Sequence, residues 1–163
     1  NGTYYTTDYD LSNHYEEGFS VLEKYEPEKV WSAVFFDAEQ QFYYLKRFRF
    51  ENVVRHTLFI GETEGSYLVA LSGEKRPRFE VVFGGRYENR PAEVIVADEF
   101  IAEKSYKARG KRVTTYEVKQ INEIEPLDRG EEESEETAST DIDFEITNPD
   151  MLSDETQMKL DFE

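Results

Sequence analysis

Apolar and aromatic residues recur along residues 1–97 in short runs that glycine, proline and acidic residues interrupt. Runs rich in β-branched and aromatic residues, with turn residues between them, are typical of short β-strands. The predicted strands are Thr3–Tyr9, Phe19–Glu23, Val30–Phe36, Phe42–Phe50, Val54–Ile60, Tyr67–Leu71, Phe79–Phe83, Val94–Val96 and Val113–Val118. A short helical turn is predicted at Glu99–Lys104, with Asp98 as its N-cap. The pattern predicts an all-β fold, whether sandwich, barrel or propeller-like unit.

Charge divides the chain near residue 127. The protein has 163 residues, of which 38% are hydrophobic and 34% charged, and its net charge is −17. Residues 128–163 hold 14 acidic residues against Arg129 and Lys159, so −12 of that charge lies there. The like-charge block Glu131–Glu136 repels itself and stays solvated, which predicts disorder. We therefore expect a folded domain at residues 1–127 and a disordered acidic tail at residues 128–163.

Several classes of function are disfavoured by what the sequence lacks. It has no run of 18 apolar residues, so no transmembrane helix and no membrane partner is predicted. It has no cysteine, which excludes disulfides and thiol catalysis and fits a cytoplasmic location. The two histidines lack metal-ligand spacing, and neither the Walker nor the GxGxxG phosphate motif occurs. We therefore predict no catalytic residue, metal or cofactor here. Since the chain begins at Asn1 and not at methionine, we expect it to be a piece of a longer protein.

Basic residues are concentrated in a few short segments of the domain. The densest is Lys104–Arg112, and residues 104–116 contain no acidic residue. Lysine and arginine on turns beside a β surface suit contact with the phosphates of duplex DNA, and Gly110 lets backbone N–H groups approach. An ordinary solvated turn is the alternative explanation. The predicted DNA-binding residues are Lys46, Arg47, Arg49, Lys75, Arg76, Arg78, Arg86, Arg90, Lys104, Lys107, Arg109, Lys111 and Arg112.

Longer phrases of the sequence resemble a known family. FIAEKSYKARGKRVTTYEVK at residues 100–119, FYYLKRFRFE at residues 42–51, residues 83–90 and the closing QMKLDF are similar to the C-terminal region of the A subunit of bacterial type IIA topoisomerases. The form in question is the ParC-like one of topoisomerase IV in Bacteroidetes, a relative of gyrase A. In that family a tyrosine in the N-terminal part cleaves DNA. The C-terminal part is a propeller-like β-pinwheel whose basic rim binds and bends duplex DNA.

The resemblance implies a partial β-pinwheel of two to three blades and an accessory DNA-binding function without cleavage chemistry. An aromatic pattern that occurs at Tyr4 and again at Tyr43, 39 residues later, agrees with blade repeats of about 40 residues. Gyrase carries a glycine-rich basic box, QRRGGKG, that underlies full DNA wrapping. The nearest segment here, KARGKR at Lys107–Arg112, has one glycine, which favours a relaxing or decatenating enzyme. The implied partners are duplex DNA, the remainder of the cleaving A subunit, and the ATPase B subunit, in a nucleoid-associated assembly of two A and two B subunits.

Two hypotheses concern the tail. A flexible segment of charge −12 tethered near basic residues has a high effective concentration there, so it would compete with DNA and act as an autoinhibitor. An aid to solubility is the alternative. The spacing of Gln157, Leu160 and Phe162 is similar to peptides that dock on bacterial sliding clamps. A protein-interaction module whose tail binds such a partner is thus the alternative function, and a free-standing enzyme is third.

Overall fold

The computed structural model describes residues 2–15 and 17–127, and the regular structure in them is almost entirely β. The elements are β1 (Thr3–Tyr4), β2 (Trp31–Asp37), β3 (Phe42–Phe48), β4 (Thr57–Leu58), β5 (Tyr67–Ser72), β6 (Arg78–Phe83), a 3-10 turn (Gly85–Tyr87), β7 (Glu93–Val96), α1 (Ala97–Phe100), β8 (Lys111–Arg112) and β9 (Val118–Ile124). The predicted all-β class is confirmed, with separate sheets and no closed barrel among the described residues. The number of blades stays a prediction.

The predicted disordered tail lies outside the described residues, and so do Gln157, Leu160 and Phe162. The disorder of the tail, its role as an autoinhibitor and its docking on a sliding clamp therefore stay predictions. Residues 1–127 cluster as one compact unit. Within the described part of the chain, no helix is long and apolar enough to cross a membrane.

The strands form three antiparallel sheets. The hairpin of β2 and β3 lies at the centre of a four-stranded sheet in the order β5-β2-β3-β8. A three-stranded sheet has the order β7-β6-β9, and β1 pairs with β4. The hairpin register places Trp31 opposite Phe48 and Asp37 opposite Phe42. Because side chains alternate across a strand, this register decides which residues share each face of the central sheet.

The four-stranded sheet is buried on both faces. The first core, on one face, consists of Trp31, Ala33, Phe35, Tyr44, Phe48, Phe59, Ile60 and Tyr106. The second core, on the other face, consists of Val34, Leu45, Phe79, Val81, Phe83, Ala97 and Ile121. Residues that follow β4 cover the first face, and β6 and β9 cover the second. The run of apolar residues in β2 is therefore explained, because both faces of this strand pack against a hydrophobic core.

Five segments differ clearly from the sequence predictions. The strands predicted at Thr3–Tyr9 and Val54–Ile60 are only two residues long, as β1 and β4. Phe19–Glu23 forms no strand, because no neighbouring strand pairs with it, and Leu22 is 67% exposed. The strand predicted at Val113–Val118 is wrong: residues 113–117 form no strand, and β9 begins at Val118, where it pairs with Phe83. The helical turn lies at Ala97–Phe100, so it begins two residues and ends four residues earlier than predicted. Asp98 lies inside that turn and does not cap it, and its carboxylate accepts a hydrogen bond from Arg76.

Phe35 tests the first core. Its side chain is 1% exposed, so Phe35→Ala should lower the free energy of unfolding by about 3–5 kcal/mol through lost burial and a residual cavity. Leu11 is 102% exposed, so the control Leu11→Ala should change it by less than about 0.5 kcal/mol. Urea denaturation of both variants measures these values. Similar small losses for the two substitutions would contradict the assignment of Phe35 to a core.

Candidate nucleic-acid interface

The densest basic segment covers the outer edge of β3. We call residues 104–112 the basic loop. The backbone N–H of Lys104 donates to Arg47 O at 2.8 Å, and that of Val113 donates to Tyr43 O at 2.8 Å. Between these two bonds, β8 pairs with β3. Both ends of the basic loop are therefore fixed to the same strand.

The middle of the basic loop is held by a buried ammonium group. Lys46, in β3, is only 4% exposed, and its Nζ donates to Tyr106 O at 2.6 Å and to Ala108 O at 3.1 Å. The Nζ also lies 5.4 Å from the ring centre of Phe35 and 5.3 Å from that of Phe48. Burial lowers the pKa of Lys46 from its ordinary 10.5 to about 8. Lys46 is thus an internal anchor, and its ammonium is not available to a ligand at the surface.

Gly110 lets the basic loop lie this close to β3. Its φ is +96°, in the left-handed region that favours glycine. A Cβ at this position would lie 2.7 Å from the carbonyl oxygen of Leu45 and 2.9 Å from Cβ of Lys46. Any other residue would push the loop off the strand. The glycine among these cations is therefore explained by the close packing of the loop against β3.

The basic side chains of the loop point away from this anchor. The exposed cations are Lys104, Lys107, Arg109, Lys111 and Arg112. Among the described residues, none of the five forms an ion pair with a carboxylate. Lys111 Nζ lies 4.3 Å from the ring centre of Phe100, and the Arg112 guanidinium lies 4.1 Å from that of Phe42. The loop therefore presents uncompensated positive charge on a fixed backbone.

A second feature of the surface is an open cleft of about 630 Å³. We call it the aromatic cleft, because its lining includes the half-buried rings of Phe36, Phe42, Tyr43, Tyr87 and Tyr116. Arg86 lines the cleft. Arg112 lies over Phe42, and the Arg90 guanidinium lies 4.1 Å from the ring centre of Tyr116. One predicted cation thus lines the cleft, and two others each contact a ring that lines it.

Lys75, Arg76 and Arg78 lie at the other end of β6 from Arg86. Five residue steps along the strand separate the two ends, a distance of about 17 Å. Arg76 is engaged by carboxylates, with Nε 3.0 Å from Asp98 Oδ2, and Arg78 Nε donates to Glu125 O at 2.7 Å. Lys75 is exposed. This group is separate from the basic loop and the aromatic cleft.

Arg47 and Arg49 support the start of the basic loop. Arg47 is half-buried, and its NH1 donates to Ile101 O at 3.3 Å. Arg49 lies beyond the end of β3 and pairs with Glu28 at 2.9 Å and with Glu103 at 2.8 Å. Since both guanidinium groups contact the protein itself, they are placed to hold this segment together more than to meet a ligand.

Sequence reasoning missed two aspects of the site. It counted Lys46 among surface cations, although alternation along β3 puts Lys46 on the same face as the buried Tyr44 and Phe48. It also did not single out Phe42 and Tyr116, each of which lies beneath a guanidinium at the cleft. The first could have been found from strand alternation. The second could not, because the two rings lie far apart in the sequence.

Comparison with protein families gave a match. A family model described as Topoisomerase C-terminal domain, Bacteroidota, matches residues 1–125. Neither the curated proteins nor the solved structures that were compared with the chain gave a match.

The buried Lys46 makes stability depend on pH. Between its folded pKa of about 8 and its unfolded value of 10.5, the unfolded chain binds a proton that the folded chain does not, so stability rises with pH. From about pH 7 to about pH 9.5, the free energy of unfolding should rise by about 2 kcal/mol relative to Lys46→Met. Urea denaturation of both proteins across this range measures the difference. Parallel pH curves would show that Lys46 is not buried as described.

Proposed function

The chain belongs to the family of Bacteroidota topoisomerase C-terminal domains, and we propose that it binds duplex DNA through the basic loop and presents it for strand passage. A domain of this family is an accessory part of a topoisomerase. The observation that carries the proposal is the basic loop itself. Its five exposed cations stand on a backbone that β3 and Lys46 hold in place, in a segment with no acidic residue.

The dimensions of the loop suit a DNA backbone. β3 has seven residues and spans about 20 Å, which is long enough for the loop beside it to contact several phosphates of a duplex. Arg109 and Arg112 can each form two parallel hydrogen bonds to phosphate oxygens, while lysine acts as a point charge. Contacts of this kind fix the position of the duplex but do not read its bases. We therefore expect tight, salt-sensitive binding with weak sequence preference.

The proposed contact set is narrower than the sequence prediction. It consists of the exposed cations of the basic loop, which are Lys104, Lys107, Arg109, Lys111 and Arg112. Lys46 is left out because its ammonium is buried between two carbonyl oxygens. We also propose that the domain bends the duplex that it binds, as the family resemblance implies.

In this proposal, DNA cleavage and ATP hydrolysis are carried out by other parts of the assembly. The remainder of the A subunit cleaves DNA, and the B subunit, with which this domain also assembles, hydrolyses ATP. The domain then acts by positioning, holding a segment of duplex next to the gate. The acidic tail regulates this step: its charge of −12 competes with phosphates for the basic loop.

Removing two cations from the loop tests the DNA contact. Each phosphate contact contributes about 0.9 to the slope of log K against log salt, so Lys107→Gln/Arg109→Gln should reduce that slope by about 2. Fluorescence anisotropy with a short duplex, between about 50 and 200 mM salt, gives both affinity and slope. Lys46→Met should weaken binding by loosening the loop but keep a slope near that of the unchanged protein, because the loop cations remain.

The matched control removes the same charge elsewhere. Lys24 and Arg55 are exposed and lie outside the basic loop, so Lys24→Gln/Arg55→Gln should leave the salt slope nearly unchanged. Equal effects of the two double variants would mean that only net charge matters, which would contradict a defined contact surface. Absence of duplex binding even at low salt would instead favour the protein-interaction module.

Deleting residues 128–163 tests the tail. Without the competing carboxylates, the domain should bind duplex DNA more tightly at low salt, and the difference should shrink as salt screens the tail. The same anisotropy series on the full chain and on residues 1–127 measures this. Equal affinities at every salt concentration would rule out autoinhibition and leave solubility as the function of the tail.

A further inference from the structure

The aromatic cleft combines aromatic rings with positive charge, the two components of a site for unpaired nucleobases. Five half-buried rings line it, so part of each ring remains accessible to solvent. The rings come from different parts of the fold: Phe36 and Phe42 flank the β2–β3 turn, while Tyr87 ends the 3-10 turn. Tyr87 and Tyr116 lie 4.9 Å apart between ring centres. The cleft's volume of about 630 Å³ lies within the range of ligand sites in proteins.

The charges around the cleft favour a polyanion over an apolar ligand. Arg86 lines it, is exposed and forms no ion pair with a carboxylate among the described residues. Arg112 approaches from the basic loop side, over Phe42. Glu117 is the carboxylate in the lining, and its side chain lies against the backbone of Gly85. Aromatic faces flanked by guanidinium groups are how proteins bind single-stranded nucleic acid, by stacking bases and pairing with the backbone.

We propose that the aromatic cleft is a second DNA site, which binds single-stranded DNA by stacking an unpaired base on its rings. Tyr87 supplies a stacking face, and Arg86 pairs with the adjoining phosphate. This site is distinct from the basic loop, whose proposed contacts are the phosphates of an intact duplex. Because Arg112 contacts Phe42, the two sites adjoin, so a strand that opens beside the bound duplex reaches the cleft directly.

The test compares two single strands of equal charge. The probes are an oligothymidylate of about 12 nucleotides, within the usual site sizes, and an abasic oligodeoxynucleotide of the same length. The full-length chain should bind the oligothymidylate about tenfold more tightly, because only it can stack. A strand containing 2-aminopurine should also lose fluorescence on binding, as its base stacks on a ring. Equal affinities for the two strands would overturn the proposal.

Substitutions in the cleft distinguish stacking from a structural effect. Tyr87→Leu keeps an apolar side chain but removes the ring, so it should abolish the preference for the oligothymidylate, while Tyr87→Phe should retain it. Tyr9 is 85% exposed and outside the cleft, so Tyr9→Leu should change nothing. Thermal unfolding of each variant checks that the domain stays folded. A preference that survives Tyr87→Leu in a folded protein would place stacking elsewhere and contradict the proposal.

The loop and cleft sites can fail separately. Lys107→Gln/Arg109→Gln should weaken duplex binding and leave the preference for oligothymidylate over the abasic strand intact. Tyr87→Leu should have the opposite pattern. If duplex binding fails but the base preference is present, the proposed function is wrong and the cleft proposal stands. If both variants lower both activities in parallel, the cleft is part of the duplex surface and not a separate site.

Discussion

Because β2 and β3 carry large apolar side chains on both faces, the central sheet has to be covered twice. Phe35 and Phe48 project to one face, and Val34 and Leu45 to the other, and all four are at most 1% exposed. One face is closed by residues near β4 and by Tyr106, the other by β6 and β9. The basic loop follows from this constraint, because Tyr106 has to reach the first core while its neighbours remain at the surface.

The same packing explains why a lysine is buried beside the first core. Lys46 lies between Tyr44 and Phe48 on the inward face of β3, where an unpaired ammonium would be strongly destabilising. Two carbonyl oxygens of the basic loop satisfy it. The hydrogen bonds therefore stabilise both partners: they satisfy the buried ammonium, and they fix the middle of the basic loop. Because the loop backbone is fixed in this way, its exposed lysine and arginine residues are held in defined positions at the surface.

Much of this fold could be predicted from the sequence, and the reasons for the failures are physical. The β2–β3 hairpin was evident, because its apolar runs are long and a turn separates them. The strand expected at Val113–Val118 failed because the pairing of Val118 with Phe83 starts β9 later, overriding local β propensity. The basic loop was visible as a run of charge. Its anchoring by Lys46 and the aromatic cleft depend on residues that only the folded chain brings together.

The central claim is that duplex DNA lies along the basic loop. Amide hydrogen exchange of the full chain, with and without a short duplex, tests it most directly because it reports where the DNA lies without any substitution. The account predicts slower exchange in residues 104–112 when DNA is bound, with little change around Lys75 at the far end of β6. Slower exchange around Lys75 with none in residues 104–112 would contradict the account.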